Sequence, residues 1–339
     1  MISEENSPAQ LSLYYRIIAL WVIVEGIAGG IMHGLRVPFS GMLVSGGAVI
    51  CISLIGYYFP EKNAIIKAML VVVFFKLMIA PHSPITAYFA IFFQATIGQF
   101  LFYFLKSYEL SCLILAVVAL IESSIQRVIV LVIIYGNGFL KAFNSFVHNL
   151  LKTESVSNYA LWLILLYFTI HAVAGVVVGF LAIRMIRLIR SSPEERKKYV
   201  LPIEYFDSEN LERPKKSGLG SFKVLLFVIW IILLLLYFQS IFKIGNPILP
   251  SGSLAHIIIR STLIILSWFF IVAPLIKIWL KNKMEQEKGR LSTEIERVMQ
   301  LLPSTEKVVR GSWKYSEKEK GFARLKLFWK VLLINQLAK

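Results

Sequence analysis

The chain has 339 residues, of which 57% are hydrophobic and 17% charged, with a mean hydropathy of +0.69 and a formal net charge of +16. Soluble domains carry about a quarter charged residues and cannot hide this much apolar surface in one core. Lipid is therefore the natural solvent, and a soluble enzyme is excluded. The positive charge does not point to nucleic acid, because the basic residues gather at the ends of apolar runs and in two polar segments, as membrane proteins place them.

The first ten residues, MISEENSPAQ, are polar and acidic where a signal peptide would be basic. The first apolar run is therefore expected to be retained as a span. Apolar runs then recur at roughly 12–33, 40–59, 64–80, 85–105, 109–136, 160–183, 221–243 and 256–280, each near the length of about 20 residues that a spanning helix needs. Arg36-Val37-Pro38, Pro60-Glu61-Lys62-Asn63 and Pro81-His82-Ser83-Pro84 separate the first four, and Lys106-Ser107-Tyr108-Glu109 precedes the fifth. The expected fold class is all-α. It is a polytopic helical membrane protein with about eight transmembrane helices: a six-helix N-terminal bundle, a two-helix extension and a cytoplasmic amphipathic tail.

Four segments follow from this reading. Residues 1–190 form the six-helix bundle and candidate ligand-binding unit, and 191–220 a charged linker carrying Pro193, Pro202, Pro214 and Gly218. Residues 221–280 hold two further spans, and 281–339 a basic tail. Arg184, Arg187, Arg190, Arg196, Lys197 and Lys198 form the densest basic cluster beside any span. Putting that cluster in the cytoplasm puts both termini there too, in the plasma (inner) membrane. In the tail, Phe322, Leu325, Phe328, Trp329, Leu332 and Leu333 recur at helical spacing among Arg324, Lys326 and Lys330. Such a helix lies in the interface or docks on a partner.

Ionisable groups inside a span cost at least a few kcal/mol and ask for a reason. They are Glu25, Lys76, Glu122, Arg127 and His171. The topology puts Glu25, Lys76 and Arg127 at one depth, in the outer half of the bilayer. Glu122 and Arg127 are five positions apart, about 140° around a helix, so each looks to another helix, and Glu25 is placed for Arg127 or Lys76. Either these charges fix helix register or they line a ligand site with His33 and Arg36 at its mouth and Ser83, Asn137, Asn144 and His148 nearby. His171 reads as a packing residue, and Cys51 and Cys112 as small hydrophobes. Gly26-x-x-x-Gly30 and Gly175-x-x-x-Gly179 allow close helix approach, within the bundle or against a partner.

Catalytic signatures are missing. Asp207 is the sole aspartate, so paired-aspartate magnesium motifs are impossible. There is no His-Glu-x-x-His, no Gly-x-Ser-x-Gly and no phosphate-binding Gly-x-x-x-x-Gly-Lys-[Ser/Thr] loop. No enzyme and no cofactor is expected, and energy for uphill movement would come from a partner or an ion gradient.

Two stretches carry a family likeness: Gly34-Leu35-Arg36-Val37-Pro38-Phe39-Ser40-Gly41 in the first outer loop, and Lys76-x-x-x-x-Pro81-x-Ser83-Pro84 opening the fourth helix. With six helices in about 190 residues, this region resembles the substrate-binding S component of energy-coupling factor vitamin transporters. The resemblance implies a unit that binds a vitamin-like micronutrient in the outer half of the bundle and passes it inward with a transmembrane coupling subunit and ATPases. The ligand-binding set is then Glu25, His33, Arg36, Lys76 and Arg127. The partner-binding set is Gly26, Gly30, Phe322, Phe328, Trp329 and Leu332. The alternative is a non-transporting membrane scaffold whose linker and tail recruit cytoplasmic partners. The topology is checked by placing a cysteine at Lys197: it should resist an impermeant thiol reagent in intact cells and react after the membrane is opened.

Overall fold

The computed structural model describes residues 8–30, 39–80, 83–151, 158–205, 220–242 and 254–337. Among them every regular element is helical and there is no strand. Among the described residues six helices are long and apolar enough to cross a membrane: Gln10–Ile27, Ser40–Tyr58, Ile85–Phe104, Tyr108–Gly136, Tyr159–Ile189 and Ile258–Glu287. The other two apolar runs are also helical, but shorter. Ala64–Ile79 has 16 residues, and the apolar stretch Leu225–Gln239 lies within the helix Gly220–Phe242.

In chain order, α1 is Pro8–Val22 and runs on as a π-helical turn, Ile23–Ala28. Then come α2 (Ser40–Tyr58), α3 (Ala64–Ile79), α4 (Ile85–Phe104), α5 (Tyr108–Leu151) and α6 (Tyr159–Ile189). The chain continues with α7 (Gly220–Phe242) and α8 (Leu254–Ser267), which extends through Trp268–Val272 into Ala273–Lys288. It closes with α9 (Ser292–Tyr315) and α10 (Gly321–Leu337). The contacts divide the chain into two compact units: 1–123, 170–211 and 283–339 in the first, 124–169 and 212–282 in the second. This grouping cuts across the order read from the sequence, since the tail joins the first helices and 124–169 joins the added spans.

In the first unit α2 is the central helix, with Val44 to Ile55 buried. It packs on α1, α3 and α4. A helix start leaves its first amides open, and the Gln99 side-chain oxygen accepts from one of them, the Ile65 amide, at 3.1 Å. The Tyr14 hydroxyl adds a tie to the same turn, donating to the Ala64 carbonyl at 2.7 Å. Between α5 and α6 the approach is at backbone distance. A Cβ on Gly175 would lie 2.7 Å from the Val117 Cα and 3.0 Å from the Ala116 carbonyl oxygen. The second small-residue motif thus serves packing within the unit.

The tail is part of this same core. Trp329, Val331, Leu332, Leu333 and Ile334 are buried, and α10 packs on α9 and α1. Gln336 Nε2 donates to Thr305 Oγ1 at 2.8 Å and to the Arg16 carbonyl at 3.4 Å. The Arg297 guanidinium lies over the Tyr15 ring at 5.1 Å. Residues 199–205 are tied in as well: Leu201 N–H donates to Asn335 Oδ1 at 2.9 Å, and Asn335 Nδ2 donates to the Tyr199 carbonyl at 2.8 Å.

In the second unit the stretch after the fifth span, expected to be a loop, is helical to Leu151 beyond a break at Gly136 (φ 68°, ψ −177°). Only glycine adopts that backbone without strain. The break is covered from α8, where Ser261 Oγ donates to the Ile134 carbonyl at 2.9 Å. Asn144 Oδ1 accepts from the Ala160 amide at 2.7 Å and so caps the start of α6. Substituting Gly175→Ala should force the α5–α6 crossing apart at a cost of about 1–3 kcal/mol. Gly289→Ala, where a Cβ meets nothing within 4 Å, should leave the melting temperature in detergent unchanged, so comparing the two melts is the check.

Candidate functional site: a buried charge pair

Glu25 stands on the π-helical turn of α1. The segment Ile23-Val24-Glu25-Gly26-Ile27-Ala28 takes the wider turn, in which the Gly29 amide reaches back five residues to the Val24 carbonyl. Lys76 stands in the last turn of α3. Gly26 and Gly30 face α3 at ordinary contact distance: a Cβ on Gly26 would meet Ile79 at 3.7 Å, and one on Gly30 would meet the Ala80 Cβ at 3.6 Å.

The two charged ends meet at 2.7 Å, Lys76 Nζ to Glu25 Oε2, with side-chain exposures of 1% and 4%. At that burial the pair has no solvent screening. Its Coulombic attraction chiefly offsets the cost of drying both ions. Tyr88 on α4 presents its ring to Lys76 Nζ at 5.8 Å, which lends the ammonium a further favourable field.

Tyr88 also carries an unsatisfied polar atom. Its side chain is 3% exposed, and its hydroxyl has no hydrogen-bond partner. On the same helix Gln94, 1% exposed, donates through Nε2 to Ser45 Oγ at 3.0 Å, while its Oε1 is without a partner. A buried polar atom left unsatisfied costs about 1–3 kcal/mol. Lys76, Tyr88 and Gln94 thus add donors and an acceptor to the interior of the four-helix core. Both Tyr88 and Gln94 escape a search for ionisable groups in spans. The signal in the sequence is an amide at Gln94 on the same helix face as the small residues Ala95 and Gly98.

Of the other expected ligand residues, His33 and Arg36 lie outside the described residues. Arg127 belongs to the second unit, is exposed, and hydrogen-bonds Tyr167. The pairing left open for Glu25 is thus made with Lys76. Ser83 is buried and turns back through its amide to the Ala80 carbonyl at 3.0 Å. His171 is buried with Phe39 beside it, ring centroids 6.2 Å apart. Cys51 and Cys112 are buried free thiols. Among the described residues no three His, Cys, Asp or Glu side chains gather as a metal site would need.

Of the residues expected to face a partner, Trp329 is buried and its ring edge lies 3.5 Å from where a Gly47 Cβ would be, next to Val24. Leu332 is wholly inside, and Phe328 meets Trp313 edge-on at 5.4 Å. Phe322 is exposed at 61%. The stripe read as a docking face is thus mostly the face that closes the first unit. In the second unit, Arg260 of α8, which the inventory of charges in spans did not include, lays its guanidinium 3.6–3.9 Å from where a Gly136 Cβ would be.

No family model, no curated protein and no solved structure matches this chain.

Removing one charge of the pair strands the other. Glu25→Gln and Lys76→Met should each lower stability by about 3–5 kcal/mol, and the double variant should regain most of that loss. Melting of all four proteins in one detergent measures the coupling.

Proposed function

We propose that the chain is an eight-span integral membrane protein of the plasma (inner) membrane, with both termini in the cytoplasm. In this reading it is the solute-binding subunit of an uptake system. The first unit takes a small polar or anionic micronutrient, in the manner of the S components that residues 1–190 resemble, and passes it on to a transmembrane coupling subunit driven by ATPases.

The observation that carries the reading is the buried Tyr88 hydroxyl without a partner, beside the Glu25–Lys76 pair. Lys76 offers three ammonium protons, and Glu25 takes one of them at 2.7 Å. A solute carboxylate or carbonyl would accept from the remaining ammonium protons and from Tyr88 Oη, and a solute donor would satisfy Gln94 Oε1. Glu25 offsets most of the ammonium charge. The competing scaffold reading needs a tail free to recruit, whereas Trp329 and Leu332 are buried within the first unit.

The test is thermal stabilisation of the purified full chain in mild detergent by a panel of vitamins and related micronutrients. One chemical class should raise the melting temperature. Tyr88→Phe should fold normally and bind that class about tenfold more weakly, the value of one hydrogen bond. The folded Glu25→Gln/Lys76→Met variant should lose the response. A responding compound that both variants bind like the parent chain would mean that the site lies elsewhere.

A further inference from the structure

The geometry points to a binding site for an anionic phospholipid between α5 and α6 of the first unit, formed by Arg184 and Arg187 over an apolar floor. A cavity of about 370 Å³ opens there, lined by Glu109, Leu113, Phe180, Ile183, Arg184 and Arg187. This inference rests on the chain being in a membrane. It does not depend on solute uptake.

Both helices grade from apolar to charged in the same direction. On α6, Phe180, Arg184 and Arg187 follow at i, i+4 and i+7, so one face passes from ring to guanidinium within two turns. On α5, Leu113 and Glu109 are four apart on one face, with the apolar member facing the Phe180 end and the charged one facing Arg187. That gradient fits an acyl chain running into a phosphate. A free anion would use only its charged end.

The charges match a phosphodiester. Glu109 is ion-paired with Arg187, so two guanidinium groups and one carboxylate leave a single net positive charge on the lining. Arg184 is exposed and is not bonded to any group among the described residues. The Arg187–Glu109 pair is itself 70% and 57% exposed, and a pair that open is weak enough to be shared with a phosphate. Arg190, one turn beyond Arg187, donates to the Tyr57 hydroxyl, and Tyr57 packs edge-on against Tyr58 and Tyr108 at 5.0 and 4.9 Å. Tyrosines with arginines at a helix end mark the headgroup level of a bilayer, and basic pockets between spanning helices at that level hold anionic headgroups.

The experiment uses the full chain, delipidated in a nonionic detergent, with dioleoylphosphatidylglycerol as the probe. Native mass spectrometry should count one retained lipid, and the melting temperature should rise with its concentration. Dioleoylphosphatidylcholine and inorganic phosphate should each do neither. Arg184→Gln should weaken binding about tenfold, as loss of a charge-assisted contact does, while Lys197→Gln, an exposed basic residue outside the cavity, should leave it unchanged. Glu109→Gln removes the competing carboxylate and should tighten binding, a gain that misfolding cannot imitate. Equal binding of both lipids, equal losses in the Arg184 and Lys197 variants, or no gain from Glu109→Gln would overturn the site. Phosphate stabilising as well as the lipid would overturn its assignment to a lipid.

Discussion

The contact between Lys76 and Glu25 sets terms that the rest of the first unit has to meet. Two ions held away from water need to approach within hydrogen-bonding distance, and any loosening leaves each of them in surroundings that cannot solvate it. The π-helical turn that carries Glu25 and the ring of Tyr88 beside the ammonium both serve that approach. Around it the helices are tied by polar contacts that water does not compete for: Tyr14 to Ala64, Gln99 to Ile65, Gln94 to Ser45. A buried pair adds little net stability on its own account, yet it discriminates sharply between one helix register and the next.

Much of the helical content was legible because an apolar run of about twenty residues has one economical solution in lipid. The places of Glu25 and Lys76 inside apolar helices were legible for the same reason. Their mutual pairing was not, because depth along a helix is one coordinate and the facing angle is another. The shared depth of Arg127 was no guide to its neighbours: its hydrogen bond runs to Tyr167 within the second unit. Tyr88 and Gln94 stayed hidden because neutral polar side chains raise no alarm in a hydropathy reading, although their unsatisfied atoms are what give the site its chemistry.

Two further differences have the same origin. An amphipathic stripe tells which face of a helix is apolar and leaves open what covers it. In the tail, Trp329 and Leu332 are buried inside the first unit, and the residues from Asn137 to Leu151 keep helical form beyond the break at Gly136, where the run of apolar residues is interrupted. The break itself depends on a remote residue, Ser261, whose hydroxyl takes the carbonyl that the change of direction frees. No local pattern in the sequence announces that partnership.

The position of Trp329 against Gly47 and Val24 has a temporal consequence. A ribosome makes α1 and α2 long before α10, and contacts of such large sequence separation form late. Through the synthesis of the segments between them, the surface around Val24, beside the acidic turn, lacks its final cover. Completion of the first unit therefore waits on α10: until the Trp329 indole reaches Gly47, that face of α2 stays open.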